Sequence, residues 1–128
     1  MIRIKRVYRE PSLEDGVRIL IDRLWPRGIS KERARIVAWR KDLAPTASLR
    51  KWFRHDPAKW HEFRQRYQSE LSRSDQVETA KALVRDSHRK TITLVYGAAD
   101  EEHNHAVALK EWLDELSRGA HGFHDGTV

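Results

Sequence analysis

Apolar and polar positions follow two periods along this chain. Ile2 and Ile4 alternate with Arg3 and Lys5 in IRIKRVY, which predicts a strand. In VRILID, Val17 is followed by the unbroken run Ile19, Leu20, Ile21, as in a strand covered on both faces of a parallel sheet. RIVAWRKDL predicts a third strand through Ile36, Val37 and Trp39, and the β-branched TITLVY a fourth. Before that last strand the period lengthens. Trp60, Phe63, Tyr67 and Leu71 step by three and four, the stripe of a helix turned toward a core. Val77, Ala80, Leu83 and Val84 form a second stripe, and Leu109, Trp112, Leu113 and Leu116 a third.

Turn and capping residues divide these runs. Asp15-Gly16, between two strand-like segments, predicts a tight hairpin. Ser30 is placed to cap a short helix in ISKERA, and Thr46 a helix in APTASLRKWF. Asp56-Pro57 is the clearest helix start, because Asp caps and Pro loses nothing at the first helical position. Asp75 and Glu78 have capping-box spacing, and Asp100 is placed to cap the last helix. The order is strand, strand, helix, strand, helices, strand, helix. It predicts an α/β fold, a small, mostly parallel sheet of about four strands with helices on both faces. One domain is expected over residues 1–117, and the glycine-rich SRGAHGFHDGTV is expected to leave a flexible tail over 118–128.

Composition narrows the classes of function. There is no cysteine among 128 residues, which excludes disulfides, thiolate metal sites and a cysteine nucleophile. No apolar run approaches the roughly 20 residues of a membrane span, and MIRIKRVYRE lacks the apolar stretch of a signal peptide. A cytoplasmic location is expected. The net charge of +6 is unevenly spread, with Lys and Arg in excess over residues 1–66 and Asp and Glu over 67–128. Such polarity suits an anionic partner, either a small molecule or nucleic acid.

The candidate chemistry follows from the sheet, because open parallel sheets bind ligands beyond the carboxyl ends of their strands. DRLWPRG, RKDLAPT and YGAADEEHNHA are expected to meet there. Arg23, Arg27 and Lys41 are candidates to hold an anion, with Trp25 stacking on a flat group. Gly28 and Ser30 would add backbone approach and a hydroxyl near a helix start. His105 is the candidate acid-base group, with Asp22 beside it. A carboxylate ringed by cations stays ionised and is a weak base, so Asp22 is expected to orient more than to transfer protons. His55 is a second candidate histidine, expected to belong to the turn before its helix.

DEEHNHA superficially suggests a metal site. On a helix, however, His103 and His105 would lie about 200° apart, whereas Glu101 and His105 would share a face. No metal is expected there, since a first turn rich in acids is explained by the helix dipole. The aromatics interleaved with basic residues in RKWFRHDPAKWHEFRQRY imitate a nucleic-acid surface, but the helical period sends Trp60, Phe63 and Tyr67 inward.

DGVRILIDRLWPRGISKE, WRKDLAPTASLRKWFRHDPAKWHEFRQRYQSEL and TLVYGAADEEHNHAVALKEWL closely resemble the YeaO-like proteins of the domain-of-unknown-function family numbered 488. The resemblance spans about residues 1–117 and implies a small bacterial, cytoplasmic α/β domain without a settled activity. The broader family carries an Asp-x-Arg-like motif after one strand, which Asp22-Arg23 resembles in part. It also often carries a Cys-His-Arg triplet at the start of the last helix. His105 looks like that histidine, while Asn104 stands for the Cys and Ala106 for the Arg, so thiol chemistry is out of reach. Some members bear names suggesting tetrapyrrole methylation, yet no glycine-rich methyl-donor loop is present. The resulting expectation is a domain that binds a small phosphorylated or carboxylated ligand, a nucleotide included, at its strand ends, with hydrolase or transferase activity open. The alternative is a nucleic-acid-binding module using the basic N-terminal half. No cofactor or oligomeric state is implied.

Overall fold

All four apolar runs become strands, and every pairing is parallel. A computed structural model describes residues 1–127, with side chains through Gly119. Strands β1 (Ile2–Arg6), β2 (Val17–Leu20), β3 (Ala38–Trp39) and β4 (Ile92–Tyr96) lie in the order β1-β4-β2-β3. Leu94 of β4 sits level with both Ile4 and Ile19. The central strand is buried along its whole length, which explains why TITLVY carries no alternation.

The predicted hairpin at Asp15-Gly16 is not formed. β1 and β2 are not neighbours, because β4 lies between them. Leu13–Asp15 forms a single 3-10 turn instead, and Gly16 leaves it with φ 62°. A β carbon on Gly16 would stand 2.2 Å from the Thr91 carbonyl oxygen, so close backbone approach as well as conformation calls for glycine. The third strand is also shorter than expected. Arg35 turns left-handed (φ 50°) to end the helix before β3, and a 3-10 turn at Lys41–Leu43 follows it. Those two turns leave Ala38–Trp39 as the strand.

The helices are α1 (Lys31–Ala34), α2 (Ala47–Phe53), α3 (Trp60–Ser72), α4 (Gln76–Ser87) and α5 (His105–Thr127). The tail expected over 118–128 falls mostly on residues whose side chains lie outside the described set. Ser30 Oγ accepts the Arg33 N–H at 3.1 Å, and Thr46 Oγ1 that of Leu49 at 3.3 Å. Asp56 accepts the Ala58 N–H at 3.0 Å and opens a 3-10 turn, Pro57–Lys59, that leads into α3. The predicted Asp75 box is absent, and Ser74 Oγ accepts the Gln76 N–H instead. At the last helix the cap is Asn104, whose Oδ1 accepts the Val107 N–H at 3.1 Å. Asp100 caps the turn before it, through the amides of Glu102 and His103.

Helices cover the two faces of the sheet unevenly. On one face Ile19, Ile21, Ile92 and Leu94 pack with Phe63, Tyr67 and Leu71 of α3, Ala80 and Val84 of α4, and Leu109, Trp112 and Leu113 of α5. On the other, Val7, Leu20 and Val95 meet Ala34 of α1, with Trp25, Ile29, Ile36 and Trp39 packed at the margin. A four-residue helix buries little by itself, so the two tryptophans supply much of the apolar area there.

Candidate functional site

Parallel pairing brings the carboxyl ends of the strands to one edge. Ile21 continues β2, with its N–H donating to the Val95 carbonyl, and the chain then leaves the sheet at Asp22. Asp22 Oδ2 accepts the Gly97 N–H at 2.9 Å and stitches the loop after β2 to the loop after β4. A β carbon on Gly97 would stand 2.9 Å from that same oxygen, so a larger residue would push the Asp22 carboxylate off its hydrogen bond. His105, the first residue of α5, completes the junction. Its Nε2 lies 3.1 Å from the Ile21 carbonyl oxygen and 3.0 Å from Asp22 Oδ1. The carbonyl can only accept, which places the proton on Nε2. Asp22 Oδ1 is buried without a directed hydrogen bond, facing the ring as a charge. The Tyr67 ring stands edge-on to the imidazole at 6.4 Å, and burial raises the Tyr67 hydroxyl pKa far above its ordinary value.

Around this junction lies a cavity of about 540 Å³, within the size range of small-molecule sites. Asp22, Arg23, Trp25, Arg27 and His105 all line it, as does the second candidate histidine, His55. Arg23 Nη2 donates to the Pro45 carbonyl at 3.0 Å, and its buried Nε has no partner. Trp25 is more constrained than a free stacking platform. Its Nε1 donates to the Ile29 carbonyl at 2.7 Å and its ring packs edge-on against Trp39. That clasp closes the turn at Gly28, whose φ is 74°. The Arg27 carbonyl accepts the Tyr8 hydroxyl at 2.6 Å, leaving its side chain toward the cavity lining.

Three candidates are not among the lining residues. Gly28 shapes the loop, Ser30 is spent as the α1 cap, and the Lys41 ammonium sits 4.1 Å over the Trp39 ring. RKDLAPT reaches the cavity through Ala44 and Pro45 instead of its charges. Arg50, Lys51 and Phe53 of α2 also line the cavity, although the sequence does not single them out; His55, the second candidate histidine, lines it beside them. Only the alternation of basic and apolar residues in SLRKWFRH hinted at this, and its direction depends on how α2 docks.

Two acids after β4, Asp100 and Glu101, have their own partners. Glu101 lies before α5 and does not share its face with His105, contrary to the helical reading. It forms a two-point ion pair with Arg9 at 2.6 and 2.7 Å, a hydrogen bond that holds its carboxyl below the usual range. Asp100 is also lowered, by the Glu102 amide first and then by His103, whose ring lies 2.9 Å away. Among the described residues no group of three His, Asp or Glu side chains is arranged to hold a metal ion.

Comparison with known sequences places the chain in a family. The model of DUF488-N3i, described as "Inactive DUF488-N3 subclade", matches residues 1–124. The chain belongs to that family. It is 39% identical over 115 residues to the uncharacterized protein YeaO of Escherichia coli K12, covering 90% of this chain and 98% of that one. It is 37% identical over 113 residues to the uncharacterized protein Rv3073c of Mycobacterium tuberculosis H37Rv, covering 88% and 93% respectively. No solved structure matches the chain. In this DUF488-N3i protein the two residues that flank His105 have structural occupations. Asn104 is buried, caps α5 and donates its Nδ2 to the Asp100 carbonyl, while Ala106 lies in the core. No helix among the described residues is long and apolar enough to cross a membrane.

Proposed function

We propose that this protein binds a small anionic molecule, phosphorylated or carboxylated, in the strand-end cavity and does not turn it over. The observation that carries this reading is a charge imbalance. Arg23, Arg27, Arg50 and Lys51 line the cavity, and none forms an ion pair among the described residues. Asp22 is the one carboxylate in that lining, and Gly97 and His105 already engage it. A concave site with surplus fixed positive charge concentrates anions from solution. The family description as inactive supports binding without chemistry. The cytoplasmic location expected from the sequence is a compartment where nucleotides and sugar phosphates occur.

Thermal-shift and calorimetric titration with nucleotides, sugar phosphates and carboxylates test the reading, with NMR of each mixture to detect products. The expected result is stabilisation by at least one small anion, loss of that effect in Arg27→Ala with the circular dichroism spectrum unchanged, and no product. Product formation would restore the hydrolase or transferase reading. A shift produced by DNA or RNA alone and erased by salt would replace the cavity with the basic N-terminal surface.

A further inference from the structure

The end of α2 holds two left-handed residues in succession. Arg54 closes the helix at φ 50°, ψ 35°, and His55 follows at φ 56°. One such residue is an ordinary helix ending, usually filled by glycine. Two carrying β carbons are strained, and strain of this kind persists where it positions a group. Here it places His55 in the cavity lining, with its ring 6.3 Å from that of Phe53. Arg50 and Lys51 reach the same lining from the last turns of α2.

We propose that Arg50, Lys51 and His55, together with Arg27 from the loop after β2, form a rim selective for a doubly charged phosphate, with the ligand's apolar body against Leu24, Pro26 and Phe53. This rests on the anion-binding reading and names the ligand class. A single carboxylate is saturated by one arginine fork, and it would leave most of the unpaired cations uncompensated. A phosphate monoester brings nearly two charges and three acceptor oxygens at neutral pH, and attraction grows with each added charge. Free nucleotides, sugar phosphates and the phosphorylated end of an oligonucleotide share this chemistry.

Phenyl phosphate and phenyl sulfate test the inference, because they are nearly the same shape and differ by one charge. At about pH 8 the full-length protein is expected to bind phenyl phosphate about tenfold more tightly, and the preference is expected to collapse at about pH 5, where the phosphate loses its second charge. Arg50→Gln and Lys51→Gln should each weaken phenyl phosphate more than phenyl sulfate. His55→Gly should raise Tm, by relieving the left-handed backbone, while lowering phosphate affinity. Equal binding of both probes, lost in Arg27→Ala, would leave the anion reading standing and overturn the dianion rim. Binding of neither at millimolar concentration would overturn both. Unchanged affinity in His55→Gly would remove His55 from the rim. Adenosine 5′-monophosphate, ribose 5-phosphate and a 5′-phosphorylated oligonucleotide then separate the sources. Binding of the oligonucleotide that does not require its terminal phosphate would overturn the proposal in favour of nucleic-acid backbone recognition.

Discussion

Asp15 has no solvent-exposed surface and still functions as a carboxylate. Burial pushes its pKa up, but the Ser12 amide, Lys5, Arg18 and the Ser12 hydroxyl together outweigh that cost and lower it from 3.8 to about 2. Lys5 Nζ stands 3.0 and 3.1 Å from its two oxygens, and Arg18 Nη1 2.7 Å from one of them. Asp15→Ala would strand two cations, one of them almost fully buried, and is expected to cost about 3–5 kcal/mol in urea denaturation. A carboxylate depressed by folding contributes stability above its unfolded pKa and loses it as pH falls through the folded one. The wild-type protein should therefore lose stability between about pH 4 and pH 2, and Asp15→Asn should flatten that limb of a stability-against-pH curve. His105 gives a second prediction at this scale. If the ring serves as a donor to the Ile21 carbonyl, His105→Gln retains anion binding while His105→Ala weakens it. A requirement for proton transfer would make both variants equally defective.

Among the elements, periodicity disclosed what burial dictates and missed what partners dictate. The α3 stripe is legible because Phe63, Tyr67 and Leu71 must all be buried, whatever they touch. Asp15-Gly16 predicts a hairpin that does not form, because a tight turn looks the same whether the next strand lies beside the last or one place further over. At α5, Asp100 and Asn104 both suit a cap, and only the path of the loop assigns the helix start to Asn104. Asn104→Ala should cost about 1–2 kcal/mol of stability by chemical denaturation through the lost cap. Asp100→Ala should cost less, since it frees a preceding turn. The candidate site was half legible for the same reason. Residues following β2 and β4 are placed by the strands themselves, whereas Arg50, Lys51 and His55 depend on the docking of α2.

At the scale of the whole molecule, most of the positive charge lies in the first half of the chain, and part of it gathers at one cavity. Binding of a small phosphate should weaken with salt far less steeply than binding to a nucleic-acid backbone, where each neutralised phosphate adds to the slope. Titrations at two ionic strengths separate the two. The strand order has a separate consequence for how the protein comes into being. β1 and β2 are synthesised early, and both depend on β4, which pairs Ile92 with Ile2 on one side and with Val17 on the other. A nascent chain halted before Ile92 would carry more net positive charge than the finished protein, with β1 unpaired and β2 joined only to the two residues of β3. The domain is thus committed to folding after most of it has left the ribosome, through contacts distant in sequence that slow the search.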